Sequence, residues 1–84
     1  MAKTNYSPTF PMYPGDAAAV VTSDTVNFPT ASIVFVGGGG IVRVLTAQGS
    51  DVTFPGVLSG AVLPVQVLRV FSSTTTATNM VRIF

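Results

Sequence analysis

The residues able to do chemistry in this 84-residue chain are few: Asp16, Asp24, Asp51, Lys3, Arg43, Arg69 and Arg82. There is no His, Cys, Glu or Trp. Without His or Cys the common general bases and nucleophile pairs are missing. Zinc, haem and iron–sulfur sites lack their usual ligands, and no disulfide can form. The three Asp fall in or beside separate expected turns, so nothing favours the carboxylate pair of a glycoside hydrolase. Lys3 lies in a Pro-rich arm, not in an apolar run. The GGGG at 37–40 is followed by IVRVL. A phosphate loop ends in Gly-Lys-Ser/Thr and opens a helix, so these glycines read as a hairpin turn. The residues imply no enzyme, no cofactor and no metal.

What does recur is an Arg in mid-strand: IVRVL at 41–45, VLRVF at 67–71 and MVRIF at 80–84. A strand sends alternate side chains to opposite faces. Arg43 then shares a face with Ile41 and Leu45, Arg69 with Val67 and Phe71, and Arg82 with Met80 and Phe84. The opposite faces hold Val42, Val44, Leu68, Val70, Val81 and Ile83, which suit an internal core. A planar guanidinium on an apolar stem suits a subunit contact. The expected interface is therefore Arg43, Arg69, Arg82, Val67, Phe71, Met80 and Phe84. Ordinary solvent-facing arginines are the plainer alternative.

The elements that must carry these residues are strands. The longest apolar run, GAVLPVQVLRVF at 60–71, reads as a central strand with both faces apolar, hence buried on both sides. Strands are also expected at 16–22, 33–36, 41–46, 52–54 and 80–84. Gly49 suits a turn at positive φ, Pro55-Gly56 a type II turn, and SSTTTATN at 72–79 a solvated loop. Gly/Pro turns every few residues give an all-β chain: a small sandwich or barrel of about six to seven short antiparallel strands. The division expected is an extended arm at 1–15 and one β domain at 16–84. The arm has Pro8, Pro11 and Pro14 with Tyr6, Phe10 and Tyr13 between them. Such spacing favours an extended polyproline path, with the rings laid on a neighbouring subunit or another protein surface.

A chain this short buries only about 60–65% of its unfolded surface. Charged residues are 8%, against roughly 25% in an average soluble domain, so a monomer would dissolve poorly. With disulfides and metals excluded, oligomerisation is the remedy left. A net charge of +1 gives no footprint for nucleic acid. No apolar run is long enough for a membrane helix, and no signal peptide is evident.

From residue 23 onward the chain resembles a known family. The pieces are SDT at 23–25, FPTASIVFVGGGG at 28–40, VLTAQGSDVTFPGV at 44–57, GAVLPVQVLRV at 60–70 and TTTAT at 74–78. Their order and spacing are similar to those of the spike-base proteins of gene transfer agents and tailed phages. The first 22 residues fall outside that pattern. The resemblance implies a small all-β virion protein on the outer surface of the head, made in the host cytoplasm. It would decorate or cement the shell, or base a head fibre, as a cyclic homo-oligomer, pentamer or trimer, bound to the major capsid protein. A tail or baseplate component is the nearest alternative. A host-receptor or glycan-binding module is an alternative of another class, which would call for exposed aromatics on loops; the loops here are Gly/Ser/Thr/Ala-rich.

Overall fold

β-Branched residues in period-two runs set the architecture. The computed structural model describes residues 15–84. Seven strands follow in order: β1 (Ala17–Ala19), β2 (Ile33–Gly38), β3 (Gly40–Thr46), β4 (Asp51–Val57), β5 (Ala61–Val62), β6 (Val67–Val70) and β7 (Thr78–Ile83). They form a four-stranded sheet, order β1-β7-β2-β5, and a three-stranded sheet, order β4-β3-β6. Every pairing is antiparallel. The all-β fold expected from the sequence is observed, and of the two forms it allowed, sandwich or barrel, the two sheets make the sandwich. Residues 1–14, with Tyr6, Phe10 and Tyr13, lie outside the described residues.

The core is mostly valine. Val34 and Val36 from one sheet meet Val42, Val44, Val67 and Val70 from the other, all without exposed surface. Leu63, Ala77 and Met80 complete the cluster, and Val20, Phe28, Phe54, Val57 and Val65 pack around it. Burying a valine fully stabilises by roughly 1.5–3 kcal/mol relative to leaving it exposed, so this seam holds the two layers together.

Three expectations about local structure give way. The four-glycine run is not a hairpin turn: β2 and β3 belong to different sheets, and the glycines carry the chain between them. A Cβ at Gly37 would stand 2.5 Å from the Asn79 carbonyl oxygen. One at Gly38 would collide with Thr78 Oγ1, and one at Gly39 would lie 2.6 Å from the Val57 carbonyl oxygen. Close backbone passage, not positive φ, is what selects glycine at these three positions.

Nor is the run at 60–71 one strand. Its first part pairs with β2 in the four-stranded sheet, ending with the Leu63 amide donating to the Val34 carbonyl at 2.9 Å. Pro64 has no amide to continue that ladder. The chain crosses over and resumes as β6 beside β3. The run is not buried on both faces as its composition suggested: Leu63, Val67, Val70 and Phe71 are buried, while Val62, Pro64 and Gln66 are exposed.

Pro55-Gly56 lies inside β4 rather than in a turn. An irregularity in the β3–β4 register between Gly40 and Val42 absorbs it, on an edge strand where a missing amide is tolerated. Gly49 does turn at positive φ (90°), closing the β3–β4 hairpin with its amide on the Thr46 carbonyl.

The crossing predicts a contrast between glycines. Gly37→Ala forces the Asn79 backbone aside and lowers stability by roughly 1–3 kcal/mol. Gly56 has nothing within 4 Å of its would-be Cβ, so Gly56→Ala shifts stability by no more than about 0.5 kcal/mol. Urea midpoints of the two variants check this; equal midpoints would mean that the crossing relaxes freely.

Candidate interaction surfaces

The two sheets present very different outer faces. On the three-stranded sheet, β3 turns Val42, Val44 and Thr46 inward. Ile41, Arg43 and Leu45 therefore face out, with the partnered Thr53, Asp51 and Arg69 beside them. Arg43 forks onto Asp51: Nε donates to Oδ1 at 3.1 Å and Nη2 to Oδ2 at 2.7 Å. Arg69 Nε donates to Asn27 Oδ1 and its Nη1 to the Asp24 carbonyl, both at 2.8 Å. The Phe71 ring lies under both cations, 4.3 Å from Arg43 Cζ and 5.2 Å from Arg69 Cζ, an attractive arrangement for a guanidinium on an aromatic face.

This network ties down the turn-rich link between β1 and β2. Asp24 accepts from the Ser73 amide at 3.0 Å and the Ser73 hydroxyl at 2.8 Å. Ser23 Oγ accepts from the amides of Thr25 and Val26, a local serine turn. The Ser23 and Phe28 amides donate to the Val70 and Leu68 carbonyls, and Ser32 exchanges both bonds with Val67. The segment from 23 to 32 thus covers the outer edge of β6, a standard protection for an edge strand. The stretch at 72–79 is likewise more than a solvated loop. Thr75 Oγ1 and Thr76 Oγ1 accept from the Arg43 and Ile41 amides, Ala77 enters the core, and β7 begins at Thr78.

Arg82 is placed differently from the other two arginines. Its Cα partners are Val34 and Ala18. It therefore shares the inward face with Val34 and Met80, at the open end of the sandwich. Its Cζ sits 4.2 Å from the Phe84 ring centre and 5.2 Å from that of Phe28. Nη1 reaches Ser32 Oγ at 3.4 Å. Arg43 takes Asp51, and Arg82 has no carboxylate partner among the described residues. Beside it opens a cleft lined by Val21, Val26, Phe28 and Pro29, with Val21 77% exposed.

The expected arginine-lined interface is thereby split. Arg43, Arg69 and Phe71 are together on one outer face, while Arg82 belongs to the other sheet and stacks on Phe84 and Phe28. Val67 has no exposed surface and Met80 only 7%, so the chain itself encloses both side chains. They are core residues, and Phe71, 8% exposed, is itself covered by the two guanidiniums. Val81 and Ile83, expected inside, are on the outside of β7. The register settles this: Val81 pairs with Phe35 and Ala19, and Ile83 with Ile33 and Ala17, while the alternate positions Val34 and Val36 fill the core.

The outer face of the four-stranded sheet is consequently apolar. It carries Ala17, Ala19, Ile33, Phe35, Val81, Ile83 and Val62, the last paired with Phe35 and 52% exposed. No charged side chain stands among them. Sequence reasoning missed this surface because it gave Val81 and Ile83 to the core. The signal was IVFV at 33–36, apolar on both faces in a chain too small to cover both.

With these surfaces described, the comparison with known proteins is specific in shape. A chain from the capsid of a native GTA particle, computed with C5 symmetry, matches 100% of this chain over 99% of its own length. The TM-score is 0.79 and the identity 24%. The two chains share one fold. No protein-family model matches the chain, and no curated protein matches it either.

The electrostatics of the polar face give a pH prediction. Hydrogen bonds from the Ser73 amide and hydroxyl hold Asp24 below the usual carboxylate value of 3.8, and the Arg43 fork does the same for Asp51. A depressed folded pKa contributes stability that is fully present above the unfolded value and lost as pH falls through the folded one. Urea midpoints should therefore hold steady from neutrality to about pH 5 and fall below about pH 4. Asp24→Asn, measured alongside, should start lower and lose less on acidification. An acid response identical to the parent's would show that Asp24 is not held as described.

Proposed function

We propose that the protein is a non-enzymatic structural component of a phage-like or GTA-like particle, lying on the outer surface of the head. It binds the major capsid protein as a cyclic homo-oligomer and serves as a decoration or as the base of a head fibre. The observation that carries this reading is the likeness, over essentially the whole length of both chains, to a chain of a GTA capsid. Motif order along residues 23–84 points the same way. A low charge content of 8% and an uncharged outer sheet face fit a chain that spends its life against other protein.

A ring needs a heterologous contact, in which one patch meets a different patch on the next copy. The apolar face of the four-stranded sheet supplies one such patch. Arg82 and Phe84, with the cleft beside them, supply a polar site for a carboxylate of the capsid protein. Arg69 holds the 23–28 loop to the sheet, Arg43 clasps Asp51 beside it, and both serve the contact indirectly. The GTA capsid whose chain this protein resembles was computed with C5 symmetry, with which a ring of five is compatible. Several copies engaging the shell together raise avidity by roughly 10²–10⁴ even when each contact is weak.

Sedimentation of the purified protein should give a closed oligomer, and the oligomer should co-sediment with heads that lack it. Val62→Lys places a charge on the apolar face at a half-exposed position of a short edge strand. It should leave fold stability within about 0.5 kcal/mol of the parent and yet shift the mass toward the monomer. A parent protein that is monomeric at all concentrations and passes the heads by would contradict the proposal.

A further inference from the structure

We infer that the apolar outer face of the four-stranded sheet is the seat of the N-terminal arm of a neighbouring copy, with Phe10 and Tyr13 laid across Phe35, Val81 and Ile83. The inference rests on the homo-oligomer proposed above and names the segment that fills its contact.

The face is built to be covered. Seven apolar side chains lie on it with no charge among them, and sheet pairing fixes them in rows: Ala17–Ile83–Ile33, and Ala19–Val81–Phe35–Val62. The alanines of β1 leave the row shallow at one side, where a ring can lie over the strand. The arm matches this chemistry. It offers Tyr6, Phe10 and Tyr13 and a single charge, Lys3. Aromatic rings on β-branched side chains are among the favourable contacts of a sheet surface.

Geometry favours a neighbour's face over the arm's own. The Gly15 and Asp16 amides both donate to the Phe84 carbonyl, at 3.1 and 3.0 Å, and the Phe84 amide returns to Asp16 at 2.9 Å. The chain therefore enters the β1–β7 ladder at its end, so an arm lying on its own sheet would have to double back over β1. The 14 residues before Gly15 span about 43 Å on a polyproline path of roughly 3.1 Å per residue. Four strands are only about 19 Å wide. The arm is long enough to cross the sheet of the next copy.

Its prolines decide how it crosses. Pro8, Pro11 and Pro14 have no amide to give a ladder, so the arm cannot extend the β1 edge as an extra strand. It lies across the strands instead. Phe10 and Tyr13, one three-residue turn apart, stand about 9 Å from one another on the same side. That is close to two strand spacings of about 4.8 Å, so both rings meet strand ridges together.

The test uses the full chain with Phe10 replaced by photoreactive p-benzoylphenylalanine, assembled with isotopically heavy parent copies and irradiated. Mass spectrometry should find light-to-heavy cross-links to the peptides carrying Phe35 and residues 81–83. Links confined to the arm's own copy, links to the three-stranded sheet, or no link between copies in an intact oligomer would each overturn the inference and leave the ring standing. Sedimentation of the same sample separates the cases: a monomer there overturns the homo-oligomer itself, and the seat of the arm with it.

Discussion

Six valines with no exposed surface hold two small sheets against one another, and every other feature follows from how little chain is left over. Val34, Val36, Val42, Val44, Val67 and Val70 make a dry seam with no polar group to satisfy. Dense packing of short branched side chains lets the layers lie close. It also forces the chain to change sheets often, through the glycine passage at 37–40 and again after Leu63. An 84-residue chain can bury the inner face of each sheet in this way, but it has no third layer for the outer ones.

The two outer faces meet that constraint in opposite ways. The three-stranded sheet is closed by polar chemistry within the chain. Arg43 and Arg69 clasp Phe71, Asp51 and the 23–28 loop, and that loop covers the edge of β6. The four-stranded sheet has no such cover among the described residues. Its alanine, valine, isoleucine and phenylalanine side chains stay on the outside of the sheet. The first face therefore stabilises the fold, while the second is suited to assembly. Arg82 stands apart from both, as a cation stacked on Phe84 and Phe28 with no carboxylate partner in the described chain.

Much of the fold was legible in the sequence. Strands β2, β3, β4 and β7 overlap the runs where β-branched residues alternate, and Gly49 turns as its residue type suggests. Period two divides a strand into two faces, but it does not say which face turns inward when both are apolar. That is why Met80 and Val81 were exchanged between core and surface. Pro64 marked the break in the 60–71 run, yet the apolar character on either side of it suggested one continuous strand. The hold of Asp24 on Ser73, 49 residues away, has no local signature, and neither does the grip of Arg69 on Asn27. Such contacts are set by which strands become neighbours, and pairing across two sheets is the part of a β fold least visible along the chain.

A reconstruction of the intact particle with no symmetry imposed bears most directly on the central claim, that the uncharged face of the four-stranded sheet exists to be covered by protein in an assembly. The expected result is a ring of copies on the outside of the head, with Phe35, Val62, Val81 and Ile83 of each copy buried against another chain. The polar face of Arg43 and Asp51 should remain toward solvent or at the rim. A single copy bound alone, or copies whose four-stranded sheet faces open solvent, would contradict it.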